Sequence, residues 1–126
     1  MPEEKIKILL VEDDKFLSEM YATKLAANGF EVETAFDGEE GLAKAKEIKP
    51  ALVFLDIVLP KKDGFEVLKE LKDGGLLNGM KVIALTNLGQ KEEVEKGMNL
   101  GASDYIIKAH FTPTEVVAKA KKILGI

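Results

Sequence analysis

Acidic residues in this sequence follow short apolar runs that have the length of buried β-strands. The triplet Glu12-Asp13-Asp14 comes directly after the run Ile6–Val11, and Asp56 ends an apolar run that begins at Ala51. Two carboxylates about 4 Å apart repel each other by roughly 4 kcal/mol at an effective dielectric constant near 20. Such a group therefore needs a cation if its members meet in space. Few oxygen ligands, with room for water and a phosphate, suit magnesium better than zinc or a full calcium cage.

Two further polar residues end apolar runs. Thr86 follows the run that begins at Val82, and Lys108 follows the run that begins at Tyr105. In a parallel sheet the carboxyl ends of the strands share one edge, where α/β proteins bind ligands. A carboxylate nucleophile beside a divalent cation, a lysine and a hydroxyl is typical of a phosphoryl-acceptor site, because the positive groups neutralise charge on the transferred oxygens.

The spacing of apolar residues predicts five strands that alternate with five helices. The predicted strands are Ile6–Val11, Val32–Ala35, Ala51–Leu55, Val82–Leu85 and Tyr105–Ile107. The segments with helical spacing are Phe16–Leu25, Leu42–Ile48, Phe65–Leu71, Gln90–Leu100 and Val116–Leu124. Strict alternation of this kind predicts an α/β fold with a doubly wound parallel sheet and right-handed crossovers.

The helix ends and faces carry more specific predictions. Asp37 and Thr112 are predicted N-caps, and Gly74–Gly79 is predicted to be a glycine-rich loop. Helix four is predicted to be marginal and movable, because its apolar residues are few and Gly97 costs about 0.5–1 kcal/mol relative to Ala. The first helix is expected to share one apolar face among Phe16, Leu17, Met20, Tyr21 and Leu25.

Composition and charge narrow the class of protein. A chain of 126 residues with 46% hydrophobic and 32% charged residues predicts a single domain spanning residues 1–126, with residues 1–4 as a disordered tail. The absence of cysteine excludes disulfides and thiolate metal sites. A net charge of −4, with no block of basic residues, argues against direct binding to nucleic acid. The N-terminus has neither a secretory signal nor a membrane span, so we predict a soluble, cytoplasmic protein without membrane attachment.

Four segments of the chain resemble a known family. These segments are ILLVEDD at strand one, FLDIVLPKKDG after strand three, ALTN at strand four and GASDYIIK at strand five. Over essentially its whole length the chain resembles the receiver domain of the response regulators of two-component signalling. The resemblance implies a flavodoxin-like, CheY-like sheet with the strand order 2-1-3-4-5. It also implies a phosphorelay switch, with self-phosphorylation and slow autodephosphorylation as its only chemistry, rather than an enzyme.

The resemblance assigns a role to each polar residue at the strand ends. Asp56 is expected to accept a phosphoryl group from the phosphohistidine of a sensor histidine kinase or a phosphotransfer protein. Magnesium is expected to be bound by Glu12, Asp13, Asp56 and the backbone carbonyl of Val58.

The remaining roles concern readout of the phosphoryl group. Thr86 and Lys108 are expected to contact its oxygens, and Tyr105 matches the aromatic residue whose ring changes position on activation. Output is expected through the face of helix four, strand five and helix five, which would bind a downstream effector. The chain would act as a monomer or as a phosphorylation-dependent dimer.

The sequence departs from the family pattern directly after Lys108. The family usually has a proline at the next position, often joined by a cis bond, whereas Ala109 and then His110 follow here. A cis bond before a non-proline residue costs about 2.5–4 kcal/mol. Either the site carries that strain or the loop is rebuilt. His110 is predicted to be an exposed loop residue rather than a phosphodonor.

Three other functions are alternatives to the switch. A phosphatase of the haloacid dehalogenase type requires a second Asp two residues after the nucleophile, where this chain has Val58. A flavodoxin-like carrier requires a phosphate-binding loop after strand one, where the chain has carboxylates. A receiver-like module that binds partners without phosphorylation stays open because of Ala109.

The residues two positions beyond Asp56 and Thr86 are apolar. Val58 and Leu88 are predicted to flank the path of the attacking water, and neither side chain can orient that water by hydrogen bonding. The sequence therefore predicts slow hydrolysis of the aspartyl phosphate.

Overall fold

The computed structural model describes residues 5–87 and 91–126. These residues form one parallel sheet of five strands in the order β2-β1-β3-β4-β5. The strands are β1 Lys7–Val11, β2 Glu31–Ala35, β3 Leu52–Asp56, β4 Lys81–Thr86 and β5 Asp104–Ile107. The helices are α1 Lys15–Ala27, α2 Gly38–Ile48, α3 Gly64–Asp73, α4 Lys91–Asn99 and α5 Pro113–Leu124. The predicted fold class and strand order are confirmed, whereas the predicted tail 1–4 lies outside the described residues.

The sheet has a hydrophobic core on each face, because successive side chains of a strand point to opposite sides. Leu9 and Val53 belong to the core covered by α2 and α3. Ile8 and Leu52 belong to the core covered by α1 and α5. The central strand β3 is buried along its whole length. In a strand covered on both faces, only the residues at the ends can contact a ligand. The last residue of β3 is Asp56.

Side-chain caps set where the helices begin. Asp14 Oδ1 accepts the Leu17 N–H at 3.1 Å, so Asp14 caps α1. Asp37 caps α2, and Thr112 caps α5 within a complete capping box. The two predicted caps are confirmed. Among the described residues, no helix is both long enough and apolar enough to cross a membrane.

The predicted apolar face of α1 was wrong at Phe16, whose side chain is 72% exposed. The residues that α1 buries are Ser18, Tyr21 and Leu25. At 3.6 residues per turn, Phe16 lies about 140° around the helix from Tyr21. Phe16 therefore faces outward.

The predicted glycine-rich loop 74–79 was also wrong in part. It contains a short 3-10 helix, Leu76–Asn78. Leu76 and Leu77 are partly buried against the core beside α3, which explains why the segment is ordered. Because glycines flank the two leucines in the sequence, the local pattern indicates a loop and not a packed segment.

Helix α4 packs through its glycine. Gly97 is the buried residue of α4. A Cβ atom at this position would lie 3.9 Å from Phe65 Cε1 and 4.0 Å from Ala84 Cβ, which are ordinary van der Waals distances. The glycine is therefore not required by space.

Replacing Gly97 by Ala is expected to stabilise the protein by about 0.5–1 kcal/mol, because Gly loses more backbone entropy in a helix. Urea unfolding measures this change. Gly101→Ala serves as the contrast, since Gly101 has φ of +112° and its Cβ would lie 2.6 Å from Leu77 Cδ1. Destabilisation by Gly97→Ala would show that α4 has no room for a methyl group.

Candidate functional site

The sheet register brings the polar strand ends to one edge. Asp56 is the last residue of β3 and pairs with Leu85 of β4. Thr86, the next residue of β4, pairs with Ile107 of β5. Lys108 follows Ile107 directly. Neighbouring parallel strands therefore deliver Asp56, Thr86 and Lys108 to the same edge.

A group of three carboxylates lies at this edge. Oxygen atoms of Glu12, Asp13 and Asp56 all lie within 4.8 Å of one another. Glu12 is fully buried and Asp56 is 2% exposed, whereas Asp13 is exposed to solvent. The structure thus brings together the acidic residues that the sequence placed after strands one and three.

Lys108 joins the two buried carboxylates. Its Nζ atom lies 2.7 Å from Glu12 Oε1 and 2.7 Å from Asp56 Oδ2. The other oxygens also have partners, because Asp56 Oδ1 accepts the Val58 N–H at 3.0 Å and Glu12 Oε2 accepts the Asp14 N–H at 3.1 Å. Both carboxylates are therefore held in one orientation from two sides.

Burial and the neighbouring charges shift the pKa values of Glu12, Asp13 and Lys108. Burial raises the pKa of Glu12, and the nearby Lys108 ammonium opposes this rise only in part. Burial, together with the charge of Glu12, raises the pKa of Asp13. Burial lowers the pKa of Lys108, but its bonds to Asp56 and Glu12 outweigh that effect and raise it overall. The group carries more negative charge than Lys108 can neutralise.

The carboxylate group fits a divalent cation. When all are ionised, three carboxylates and one ammonium leave two negative charges. All the side-chain ligands offered are oxygens, and Asp13 opens the group to water. Magnesium prefers few carboxylate ligands and keeps several of its waters. The donor set therefore matches the cofactor that the sequence predicted, and the predicted backbone ligand, Val58, lies two residues beyond Asp56 in the loop after β3.

Gly64 allows the loop after β3 to close tightly. The Gly64 N–H donates to the Ile57 carbonyl at 2.8 Å. A Cβ atom at position 64 would lie 2.3 Å from the Asp56 carbonyl oxygen. The motif FLDIVLPKKDG includes Gly64, but it did not predict the close approach of Gly64 to Asp56. That contact depends on how the chain turns back on itself.

The loop after β5 is rebuilt at Ala109. Residues Lys108–His110 form a 3-10 turn, and no peptide bond among the described residues is cis. Of the two alternatives that the sequence left open, the structure has the rebuilt loop. Lys108 still reaches Glu12 and Asp56, and His110 is exposed, as predicted.

The remaining predicted residues differ in their surroundings. Thr86 is 2% exposed at the end of β4. Tyr105 lies on the edge strand β5, is 38% exposed and pairs with Ala84. The Val58 side chain is 64% exposed, and Leu88 lies outside the described residues.

Comparison with known proteins places this geometry in a family. Residues 8–121 match the family described as the response regulator receiver domain. The match covers β1 to most of α5 and includes every residue of the carboxylate group and Lys108.

Curated relatives are similar over nearly the whole chain. The chain is 42% identical over 118 residues to the alkaline phosphatase synthesis transcriptional regulatory protein PhoP of Bacillus subtilis, covering 94% of this chain and 48% of PhoP. It is 36% identical over 118 residues to the DNA-binding dual master transcriptional regulator RpaA of Synechocystis, covering 94% and 48%. The chain thus spans about half the length of these relatives.

Solved structures have the same fold. The chemotaxis protein CheY4 of Vibrio cholerae is 28% identical and superposes with a TM-score of 0.88, covering 95% of this chain and 99% of CheY4. A CheY-like response regulator receiver domain protein of Methanospirillum hungatei is 34% identical with a TM-score of 0.88, covering 97% and 95%. In both cases the similarity extends over the whole domain.

Proposed function

Because this chain belongs to the response-regulator receiver domains of two-component signalling, we propose that it is a switch in which Asp56 accepts a phosphoryl group. The donor would be the phosphohistidine of a sensor histidine kinase or a phosphotransfer protein. One observation carries the proposal, namely the Lys108 ammonium 2.7 Å from Asp56 Oδ2 within a group of three carboxylates. A buried nucleophile with this surplus of negative charge is arranged for a cation and an anionic ligand.

The proposed transfer has one step. A carboxylate oxygen of Asp56 attacks the phosphorus, the P–N bond of the donor breaks, and the histidine nitrogen leaves with the electron pair. Charge spreads over the three equatorial oxygens in the transition state. Lys108 and the Thr86 hydroxyl would neutralise part of that charge. The Val58 N–H, which donates to Asp56 Oδ1, orients the nucleophile.

Glu12, Asp13, Asp56 and the Val58 carbonyl would hold magnesium. When bound, the ion supplies positive charge that balances the carboxylates and the phosphoryl oxygens. Glu12 is buried and held by Lys108 and the Asp14 N–H, so its position is set before any ligand arrives. Asp13 is exposed, so it would bind magnesium on the side of the site that is open to solvent.

Phosphorylation would change the protein surface by electrostatics. The added group brings about −1.5 to −2 charges and three acceptor oxygens, which would compete with Glu12 for Lys108 and draw the Thr86 hydroxyl toward them. Helix α4 buries little of its surface in the domain, so we propose that it moves and alters the face of α4, β5 and α5, including Tyr105.

This face would bind an effector protein in the cytoplasm, with the receiver domain acting as a monomer or as a phosphorylation-dependent dimer. PhoP and RpaA are named as transcriptional regulators, which supports gene regulation as the response.

Intact-mass measurement tests the phosphoacceptor role. With magnesium and acetyl phosphate, the wild type is expected to gain about 80 Da, the mass of one phosphoryl group. Asp56→Asn should gain nothing, whereas Asp73→Asn, an exposed residue at the end of α3, should gain the same mass as the wild type. No adduct on the wild type, or an adduct that survives Asp56→Asn, would favour the module that binds partners without phosphorylation.

Hydrolysis of the aspartyl phosphate is expected to be faster in Val58→Asn. Val58 is 64% exposed and apolar, so an amide there gains a hydrogen bond to the attacking water without disturbing the core. One hydrogen bond of about 1 kcal/mol corresponds to roughly a fivefold rate increase. Loss of the adduct with time measures the rate. Equal acceleration by the control Val58→Ala would show that bulk, rather than hydrogen bonding, limits the reaction.

A further inference from the structure

The first residue of α2 touches the loop that joins β3 to α3. The Gly38 N–H donates to the Pro60 carbonyl at 3.2 Å, and the Lys62 N–H donates to the same carbonyl at 2.7 Å. Next to them, the Lys61 ammonium lies 3.7 Å from the Asp37 carboxylate. The tip of the loop is thereby attached to the start of α2.

Only glycine fits at position 38. A Cβ atom there would lie 1.7 Å from the Lys62 carbonyl oxygen and 2.5 Å from its carbon. These are backbone atoms, so no side-chain rotation relieves the overlap. Gly38 has no left-handed backbone angle, and the close approach alone requires the glycine. Any larger residue must push the loop away from α2 or push α2 away from the sheet.

The same loop carries Val58. At its base the Gly64 N–H bonds to the Ile57 carbonyl at 2.8 Å, and at its tip Gly38 bonds to Pro60. Val58 lies between these two attachments, and its N–H bonds to Asp56 Oδ1 at 3.0 Å. The position of the Val58 backbone therefore depends on both the base and the tip.

From this geometry we infer that Gly38 is a positioning residue for the phosphorylation site. It acts through Val58, whose N–H orients Asp56 and whose carbonyl is a proposed magnesium ligand. The inference rests on the function proposed above. Residues that hold a metal ligand in place typically change metal affinity or activity by 10–100-fold when they are replaced.

Magnesium titration of Gly38→Ala tests the inference. Calorimetry, or the NMR shift of the Val58 amide, should report magnesium binding about tenfold weaker than in the wild type. At saturating magnesium, acetyl phosphate should still modify Asp56, but more slowly.

Two variants separate positioning from loss of stability. Ala45→Gly lowers the stability of the same helix at a buried position about two turns beyond Gly38, and it should bind magnesium like the wild type. Gly79→Ala adds a methyl group where no atom lies within 4 Å; it should bind magnesium like the wild type and lose no stability. Binding by Gly38→Ala within twofold of the wild type, or an equal loss in Ala45→Gly, would overturn the inference. A wild type that forms no adduct would instead overturn the proposed function.

Hydrogen exchange on the wild type decides the question if Gly38→Ala does not fold. Coupling between two sites is reciprocal, so saturating magnesium should slow exchange of the Gly38 N–H severalfold together with that of Val58. The Lys49 N–H, which bonds to Ala45 at the other end of α2, is the matched amide and should not change. Unchanged exchange at Gly38 would contradict the inference.

Discussion

Replacing Lys108 by Met is expected to lower the free energy of unfolding of the magnesium-free protein by roughly 3–5 kcal/mol. The Lys108 side chain is 9% exposed and contacts the carboxylates of Glu12 and Asp56 at 2.7 Å. Methionine has similar volume, so the loss reflects charge rather than a cavity. Without the ammonium, two buried carboxylates keep their mutual repulsion and lose a hydrogen-bond donor.

Urea unfolding with and without magnesium measures this loss. Magnesium should restore part of the stability of Lys108→Met, because an ion that binds only the folded state stabilises it. Lys119→Met is the control, since Lys119 pairs with Asp104 at 2.8 Å but both side chains are partly exposed. Such pairs contribute about 0–1 kcal/mol. If both variants lose the same stability, the proposed role of the Lys108 charge is wrong.

Replacing Gly64 by Ala is expected to impair both stability and phosphorylation. The new Cβ atom would lie 2.3 Å from the Asp56 carbonyl oxygen and 2.7 Å from Ile57 Cα. Overpacking of this kind costs about 1–3 kcal/mol and sometimes more. Because the displaced backbone is that of Asp56 itself, the rate of adduct formation should fall by up to about 100-fold, the effect of a misplacement near 1 Å.

Parallel measurements on Gly79→Ala provide the comparison for this variant. Gly79 has φ of −119°, which alanine adopts readily, and no atom lies within 4 Å of its Cβ position. Alanine there should leave phosphorylation unchanged and stabilise the protein by up to about 0.4–1 kcal/mol, since it restricts the unfolded chain. Similar behaviour of the two alanine variants would mean that the loop after Asp56 tolerates displacement.

Helix packing shows where local patterns stop being informative. Phe16 has helical spacing from Met20, yet it is exposed because the buried stripe of α1 is centred on Tyr21 and Leu25. Leu76 lies among glycines, yet it belongs to a 3-10 helix that packs on the core. For Phe16 the helical repeat separates its side chain from Tyr21, and the tertiary structure decides which of the two faces is buried. For Leu76 the deciding contact is with a distant element, and sequence spacing contains no information about it.

The loop after Lys108 is a second place where the sequence did not determine the local conformation. The sequence identified Ala109 as a departure from the family and left two conformations open. The structure has a 3-10 turn over Lys108–His110 with trans peptide bonds, and the residue types alone did not distinguish this turn from a strained cis bond.

The amino-acid sequence by itself determined which residues meet at the site. Alternating strands and helices predict a parallel sheet, which puts the residues after its strands at one edge. The strand order that the family resemblance implies makes strands one and three neighbours, so Glu12 and Asp56 were expected to meet there, with Lys108 on the same edge. The tertiary structure decided how they meet. The 2.7 Å bonds from one ammonium to two carboxylates, and the attachment of the loop through Gly38 and Gly64, depend on the exact distances between separate elements of the fold. Such distances follow from how whole elements pack, and residue type alone does not specify them.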